Sequence, residues 1–335
     1  MDDARGRAVG ALVGLAVGDA LGMPTQYFPR EKIRARYGLL DDFHAGPDDN
    51  DISRGTPAGH VTDDTDQAVI LGRLFVEGGG SVDPDRFASE LLAWEARMKA
   101  AGSLDLLGPS TLRALRLIAE GVSPEETGRW GDTNGAAMRI APIGVGTAAT
   151  SVAGVVDAVE QAGRVTHNTG IAIAGASAVA MAVSAGVDGR PFDESLGLAV
   201  EAARIGGARG NYVAGADVAS RIEWAVDLVR GLDPDTAADL VYDLVGAGVA
   251  TQEAVPAAFA IASLFPGDTW STCRYAASLG GDCDTIAAIA GAIVGAHAGV
   301  GAIPAGILDR LTAANPDLAL ESLAVDLLAL RGRNG

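Results

Sequence analysis

Residues 4–20, ARGRAVGALVGLAVGDA, carry glycine at positions 10, 14 and 18, about one helical turn apart. This spacing places the three glycines on one helix face, and a face without β-carbons lets a second helix approach closely. The whole chain suits such packing, because 48% of its 335 residues are hydrophobic, Ala and Gly are abundant, and only 5% are aromatic. That composition is typical of helices meeting through small side chains, not of a sheet rich in Val, Ile and Tyr. We therefore expect an all-α fold.

Helical periodicity continues through most of the chain, whereas the alternation typical of strands is scarce. Besides 4–20, the pattern predicts helices at about 30–36, 65–77, 84–100, 110–120, 151–163, 170–186, 194–204, 213–230, 236–247, 252–264, 269–279, 285–298 and 318–331. The longest irregular stretch runs from about 23 to 60 and contains only the short helix near 30–36. Neither a linker nor a change of composition divides the chain. We expect one compact multi-helix domain over residues 1–335.

Charge and cysteine content exclude several classes of protein. A net charge of −18 argues against wrapping a nucleic-acid backbone or docking on an anionic membrane. Two cysteines, Cys273 and Cys283, make no disulfide framework, and the acidic start MDDARGRAVG does not resemble a signal peptide. The sequence thus favours a cytoplasmic protein.

Two apolar runs, 170–187 and 286–303, are long enough to be mistaken for membrane spans. Their apolar character comes mostly from Ala and Gly, which insert weakly, and no cluster of Lys or Arg flanks them. We expect two buried central helices and no membrane partner.

Two stretches place several carboxylates at the start of an apolar helix: VTDDTDQAV at 61–69 and LGGDCDTIAAIAG at 279–291. One such carboxylate caps a helix, and either stretch taken singly favours a cap. Together they present adjacent like charges ahead of buried helices, with no Lys or Arg in either stretch. Asp and Thr oxygens suit Mg²⁺ or Mn²⁺, whereas zinc is disfavoured because neither stretch contains His. If the two helix starts meet, two such ions fit between them.

Four pieces in order resemble the ADP-ribosylglycohydrolase family: GLAVGDALGMP at 14–24, TDDT at 62–65, TNGAAMRIAP at 133–142 and GGDCDTIAAIAGAIVGAHAG at 280–299. The resemblance implies an all-α fold with two Mg²⁺ or Mn²⁺ ions in a cleft. It also implies a hydrolase that cleaves the N- or O-glycosidic bond of an ADP-ribosyl or ribosyl group with water activated at the dinuclear centre. The substrate would be an ADP-ribosylated protein or a small ribosylated molecule.

The resemblance also assigns residues by position. The metal ligands would be Thr62, Asp63, Asp64, Asp282, Asp284 and Thr285, with Asp63 and Asp64 also serving catalysis. The substrate would contact a phosphate-holding loop at Gly131, Asp132, Asn134 and Gly135, and the pair Thr166 and His167. Asp66 has no such role, and we expect it to be an exposed first-turn residue.

One position departs from the family pattern. Many members carry a Glu four residues after the glycine that here is Gly22, and this chain has Gln26 instead. An amide cannot exchange a proton as a carboxylate does. Either the metals and a ligand Asp activate water unaided, or a carboxylate of the acidic loop replaces the Glu, or the protein binds ADP-ribose without hydrolysing it. The candidates in that loop are Asp41, Asp42, Asp48, Asp49 and Asp51, most of which we expect to be solvated. A ribonucleoside hydrolase is the alternative enzyme.

Overall fold

The computed structural model describes residues 2–103 and 107–331, and its regular structure is helical. The first nine helices are α1 Asp2–Gly22, α2 Arg30–Tyr37, α3 Asp63–Glu77, α4 Pro84–Ala100, α5 Pro109–Ala119, α6 Pro124–Thr127, α7 Gly135–Met138, α8 Ala141–Gly146 and α9 Val152–Gly163. The others are α10 Gly170–Val187, α11 Phe192–Gly207, α12 Val218–Val229, α13 Pro234–Leu240, α14 Thr251–Leu264, α15 Thr269–Ala277, α16 Cys283–Ala298, α17 Ala305–Ala314 and α18 Leu320–Arg331. Within these described ranges there is no strand, only two isolated bridges. The all-α prediction is confirmed.

Many helices begin where a side-chain oxygen accepts a backbone N–H of the first turn, which satisfies a donor that has no partner inside the helix. The residues that do so are Thr62, Asp83, Ser123, Ser151, Thr169, Asp217, Asp233 and Asp268. Proline follows in the first turn of α4, α5, α6 and α13, where its missing N–H costs nothing.

The glycine face of α1 packs directly on the backbone of α16. A β-carbon placed on Gly10 would lie 2.3 Å from Gly295 O, and one on Gly14 would lie 2.2 Å from Gly291 O. Further along, a β-carbon on Gly22 would lie 2.4 Å from the Cα of Asp284. The two helices therefore run antiparallel at backbone contact, and this contact sets the end of α1 beside the start of α16.

Helix α10 occupies the centre of the molecule and is covered by α8, α9, α11, α14 and α16. It is the one described helix long and apolar enough to cross a membrane by length and composition, yet 94% of that span is buried inside the protein. Both apolar runs thus contribute buried helices, as expected, and the helices share one hydrophobic core.

The sequence patterns missed some elements and misplaced others. Helix α17 and the short helices α6, α7 and α8 were not predicted. The helix predicted over 213–230 begins only at Val218, because Asp217 caps it. The helix predicted over 236–247 ends at Leu240 and continues as a π-helical turn, Val241–Val245.

Candidate active site

A cavity of about 270 Å³ opens where the first turns of α3 and α16 meet the loop that follows α1. Eight of the predicted site residues line it: Gln26, Asp63, Asp64, Asn134, Gly135, Asp282, Asp284 and Thr285. Apolar side chains, among them Ile52, Leu107, Met138 and Val249, and the hydroxyl-bearing Thr111 and Thr133 also line it. The other predicted residues are not among those that line it: Thr62, Gly131, Asp132, Thr166 and His167.

At the start of α3, capping is accomplished without Asp63 or Asp64. Thr62 is the N-cap residue, and its hydroxyl accepts the N–H of Asp64. The buried carboxylate of Asp19, on α1, accepts the N–H groups of Thr62 (3.0 and 3.1 Å) and Thr65 (3.1 Å). Because these donors are already satisfied, a capping role does not explain the two adjacent aspartates.

The start of α16 is also acidic without a capping contact. Asp282 is the N-cap residue, but its side chain accepts no N–H of the helix. Its carboxylate instead accepts a hydrogen bond from the side-chain amide of Asn134, and its N–H donates to Ala247 O at 2.7 Å. Asp284 follows in the first turn and is almost fully buried.

The two acidic helix starts meet. The hydroxyl of Thr285, on α16, donates to Asp64 Oδ2, on α3, at 3.2 Å. The hydroxyl of Thr62 donates to the same oxygen at 3.3 Å. Two hydroxyls thus hold Oδ2, whereas Asp64 Oδ1 is buried and has no hydrogen-bond partner among the described residues.

Burial and mutual repulsion disfavour the charged forms of these carboxyl groups. The pKa of Asp64 is raised well above its usual value, mainly by burial and then by the charges of Asp19, Asp284, Asp63 and Asp282. Burial also raises the pKa of Asp19 to about 6. It has the same effect on Asp282, whose pKa rises to about 6. A cation between the carboxylates would relieve this repulsion.

The donor set suits a hard divalent cation, because it consists of carboxylate and hydroxyl oxygens and includes the unpartnered Asp64 Oδ1. Nevertheless, no group of three or more His, Cys, Asp or Glu side chains in the described ranges is already arranged as a metal-ion site. The metal ions therefore stay a prediction.

Gln26 enters the cavity from the loop after α1. Its side chain is only 3% exposed, and its Nε2 has no hydrogen-bond partner in the part of the chain that the structure describes. The backbone at Gln26 is held by Asn50, whose Nδ2 donates to Gln26 O at 2.8 Å. The next residue, Tyr27, has φ of 60° and donates its N–H to Gly281 O. This hydrogen bond connects the loop after α1 to the residues just before α16.

The predicted phosphate-holding loop is closely packed. The N–H of Gly131 donates to Gly128 O, and that of Asn134 donates to Val249 O, so two of its amides are engaged within the protein. A β-carbon on Gly131 would lie 2.0 Å from Thr166 O, and one on Gly135 would lie 2.8 Å from His167 Cε1. Both glycines are thus required for packing, and phosphate binding here stays a prediction.

The pair Thr166 and His167 is buried behind that loop. His167 Nε2 lies 3.1 Å from the hydroxyl of Thr133, and its Nδ1 lies 2.8 Å from the hydroxyl of Thr166. Burial, and then the nearby Arg139, holds the pKa of His167 well below its usual value, so the ring is neutral at pH 7. In this arrangement His167 supports Thr133, which does line the cavity.

The structure tests two further predictions, one about Asp66 and one about the aspartates of the acidic loop. The prediction that Asp66 is exposed was wrong: it is half-buried and accepts the indole N–H of Trp94 at 2.7 Å. In the acidic loop, Asp49 pairs with Lys32 and Arg36, and Asp42 pairs with Arg310. None of the five loop aspartates lines the cavity, so they do not replace the missing Glu there.

Sequence reasoning missed three buried polar residues around the site: Asp19, Gln67 and Arg139. Asp19 is the one charged residue among the apolar positions 8–22 of α1, and a charged residue in such an apolar helix was a usable signal. Gln67 and Arg139 gave no comparable signal, because their partners come from distant parts of the chain.

Comparison with known proteins gives consistent matches along the whole chain. A family model described as ADP-ribosylglycohydrolase matches residues 1–335. The uncharacterized protein YegU of Escherichia coli (strain K12) is 37% identical over 310 residues, covering 92% of each chain. The ADP-ribosylhydrolase ARH3 of Bos taurus is 29% identical over 318 residues, covering 88% of this chain and 86% of its own.

A solved structure confirms the similarity of fold. The structure named "ADP-ribosylglycohydrolase-related protein complex" superposes with a TM-score of 0.73 at 25% sequence identity. The match covers 98% of this chain and 99% of that one. The likeness therefore extends over the complete helical domain.

Proposed function

Because the chain belongs to the ADP-ribosylglycohydrolase family and is therefore a glycosidase, we propose that it is a metal-dependent hydrolase of ADP-ribosyl or ribosyl groups. One observation carries the proposal: two carboxylate-bearing helix starts converge on one cavity, and Asp64 Oδ1 is buried there with no hydrogen-bond partner among the described residues. Unpaired buried charge of this kind is costly unless a cation accompanies it.

The proposed cofactors are two Mg²⁺ or Mn²⁺ ions. The residues that would hold them are Thr62, Asp63, Asp64, Asp282, Asp284 and Thr285. Their oxygen-only donor set supports a hard cation. The pKa of Asp64 is raised first by burial and then by neighbouring like charges, and a positive charge would offset both effects. The chemistry that such ions supply is activation of water and a clamp on the ribose hydroxyl oxygens.

The carboxylates of this chain contribute electrostatically to bond cleavage. Cleavage at ribose C1 develops oxocarbenium character, and negative charge beside the ring stabilises it. Asp63 and Asp64 are the proposed catalytic carboxylates, since both line the cavity. The rest of the substrate would bind at the predicted phosphate-holding loop and the pair behind it. The residues of this proposed binding site are Gly131, Asp132, Asn134, Gly135, Thr166 and His167.

Gln26 has a different proposed role from that of the family's usual Glu. Its amide cannot take up a proton, but its buried Nε2 can donate to an oxygen of water or ligand inside the cavity. Gln26 would therefore orient the attacking water or a ribose hydroxyl, and it would leave proton transfer to other groups.

The proposed substrate is an ADP-ribosylated protein or a small ribosylated molecule. Support for ADP-ribosyl substrates comes from the name of the bovine relative. We also propose a cytoplasmic location, which suits the two free buried cysteines, Cys273 and Cys283.

A ribonucleoside hydrolase is the second candidate, and the cavity itself favours it. Its volume of about 270 Å³ is small, since sites for drug-sized ligands span roughly 300–1,000 Å³. Moreover, no Lys, Arg or His of residues 2–103 and 107–331 lines the wall. A diphosphate finds no cationic side chain there, whereas an uncharged nucleoside needs none.

The test is hydrolysis, with Mg²⁺ or Mn²⁺, of ADP-ribosyl-arginine, ADP-ribosyl-serine and common nucleosides by the wild type and by Gln26→Glu. Turnover of an ADP-ribosyl compound by the wild type supports the first candidate, and turnover of a nucleoside alone supports the second. Activity confined to Gln26→Glu would mean that the natural protein binds ADP-ribose without hydrolysing it. Absence of turnover in both proteins would contradict the proposal.

A further inference from the structure

Arg139 is the largest fully buried side chain among the described residues, and it is only 1% exposed. A buried guanidinium usually needs a carboxylate beside it. Within the described ranges Arg139 forms no ion pair, and its hydrogen-bond partners are neutral: Gln67 Oε1 at 2.7 Å, the hydroxyl of Thr166, and His167 Nδ1 at 3.4 Å. Its guanidinium also lies 5.1 Å from the ring centre of Phe87.

The carboxylate that compensates the charge of Arg139 is that of Asp63, and the side chain of Gln67 lies between the two. Gln67 is fully buried in α3, one turn after Asp63, and its Nε2 donates to Asp63 Oδ2 at 2.6 Å. Arg139 can only donate, so it fixes the Gln67 amide with its oxygen towards the guanidinium and its NH₂ towards Asp63. The guanidinium polarises the Gln67 amide, and the amide NH₂ therefore donates a stronger hydrogen bond to the Asp63 carboxylate.

On its other side Arg139 is linked through His167 to Thr133, which lines the cavity. The hydroxyl of Thr166 accepts a hydrogen bond from the guanidinium, and His167 Nδ1 lies beside it. On the other side of the ring, His167 Nε2 lies within hydrogen-bond distance of the hydroxyl of Thr133. Thr133 and Asp63 both line the cavity, on different elements. One continuous chain of side chains therefore joins Asp63 to the loop that carries Thr133.

We propose that Gln67 and Arg139 are positioning residues that hold the Asp63 carboxylate, through Oδ2, in the orientation that presents it to a divalent cation. The inference rests on the proposed function, because it takes Asp63 as a metal ligand. Neither residue lines the cavity, so each acts through Asp63 and not by touching the cation or substrate. Loss of Gln67 then costs cation affinity only while Asp63 is present.

The experiment is a double-mutant cycle read out as Mn²⁺ affinity, measured by the electron paramagnetic resonance of free Mn²⁺. The proteins are the wild type, Gln67→Met, Asp63→Asn and the double variant. We expect Gln67→Met to weaken Mn²⁺ binding roughly 10- to 100-fold, as for a lost hydrogen bond to a charged group. In the Asp63→Asn background the same substitution should change the affinity less than about 2-fold, since the coupling is absent.

Controls separate positioning from a folding defect. Gln161→Met, on the surface of α9, should leave Mn²⁺ affinity unchanged. Gln67→Met combined with Arg139→Met removes the amide and the buried cation together, which avoids leaving Arg139 without its acceptor. If circular dichroism shows that this combined variant is folded, its Mn²⁺ binding should be weakened as much as that of Gln67→Met alone.

Equal weakening by Gln67→Met in both backgrounds, or none in either, would overturn the inference while the proposed function stands. Absence of Mn²⁺ binding by the wild type itself would overturn the proposed metal-dependent function, and this inference with it.

Discussion

Asp64 is almost fully buried, and its pKa is raised first by this burial and then by the charges of four other aspartates. Two hydroxyls satisfy Oδ2, but Oδ1 has no partner in the described part of the chain. In the absence of a cation, such a carboxylate destabilises the fold that contains it. Natural sites often keep a destabilising group because function requires it.

We therefore predict opposite effects of Asp64→Asn on stability and activity. In EDTA at pH 7 the substitution should raise the free energy of unfolding by roughly 1–3 kcal/mol, because an amide of the same shape removes a repelled buried charge. Mn²⁺ binding and hydrolysis should both be lost. Urea unfolding and turnover assays measure the two effects, with the exposed Asp193→Asn of α11 as the control. A less stable Asp64→Asn protein would contradict the charge argument.

The sequence predicted which aspartates lie together at the site, and their roles stay predictions. The motifs identified the aspartates that converge, because two stretches place adjacent like charges ahead of apolar helices. They did not reveal that Asp19 satisfies the first turn of α3, nor that Asp66 is held by Trp94. Both facts depend on which helices pack together, which local patterns do not specify.

The pairing of α1 with α16 is the element that assembles the site. Backbone contact at Gly10, Gly14 and Gly22 fixes how far α1 extends along α16. The loop carrying Gln26 consequently lies beside Asp282 and Asp284. Any increase in the separation of these helices would move Gln26 away from the carboxylates.

Gly14→Ala should therefore be strongly destabilising. The new β-carbon would lie 2.2 Å from Gly291 O, so one backbone has to move. We expect a loss of roughly 1–3 kcal/mol in the free energy of unfolding, or more, as for an overpacked core. Gly6→Ala in the same helix has open space around its β-carbon, and it should be neutral or stabilising by up to about 1 kcal/mol. Similar urea-unfolding curves for the two variants would contradict the role of the contact.

The glycine spacing predicted this close approach, although it did not name the partner helix. Long amphipathic or apolar helices were predicted within a few residues of their ends, whereas α17 and the short helices α6 to α8 were missed. Short helices make few hydrogen bonds of their own and depend on tertiary contacts for their stability. Sequence periodicity is too weak over four to six residues to indicate them.

For the molecule as a whole, the site couples stability to pH. The pKa values of Asp19 and Asp282 are raised to about 6 in the folded protein from an ordinary 3.8, so the folded state holds these protons more tightly than the unfolded state does. Their contribution to stability is present below about pH 4 and is lost as pH rises through about 6.

We predict that metal-free protein loses stability between about pH 4 and 6, on the order of a few kcal/mol. Added Mn²⁺ should reverse the trend, because carboxylates bind the cation in their deprotonated form. Urea unfolding across this range, with EDTA and with Mn²⁺, measures both curves. Parallel curves under the two conditions would contradict a metal site at these carboxylates.

The most direct test of the account compares the wild type with Asp284→Ala for Mn²⁺ stoichiometry and for turnover of the ribosylated compound that the wild type cleaves. Asp284 lines the cavity at the start of α16, and Asp193→Ala serves as the control for loss of an exposed carboxylate. We predict two bound ions and turnover that stops in EDTA for the wild type, and loss of both binding and turnover for Asp284→Ala. Full activity of Asp284→Ala, or wild-type turnover that persists in EDTA, would contradict this prediction.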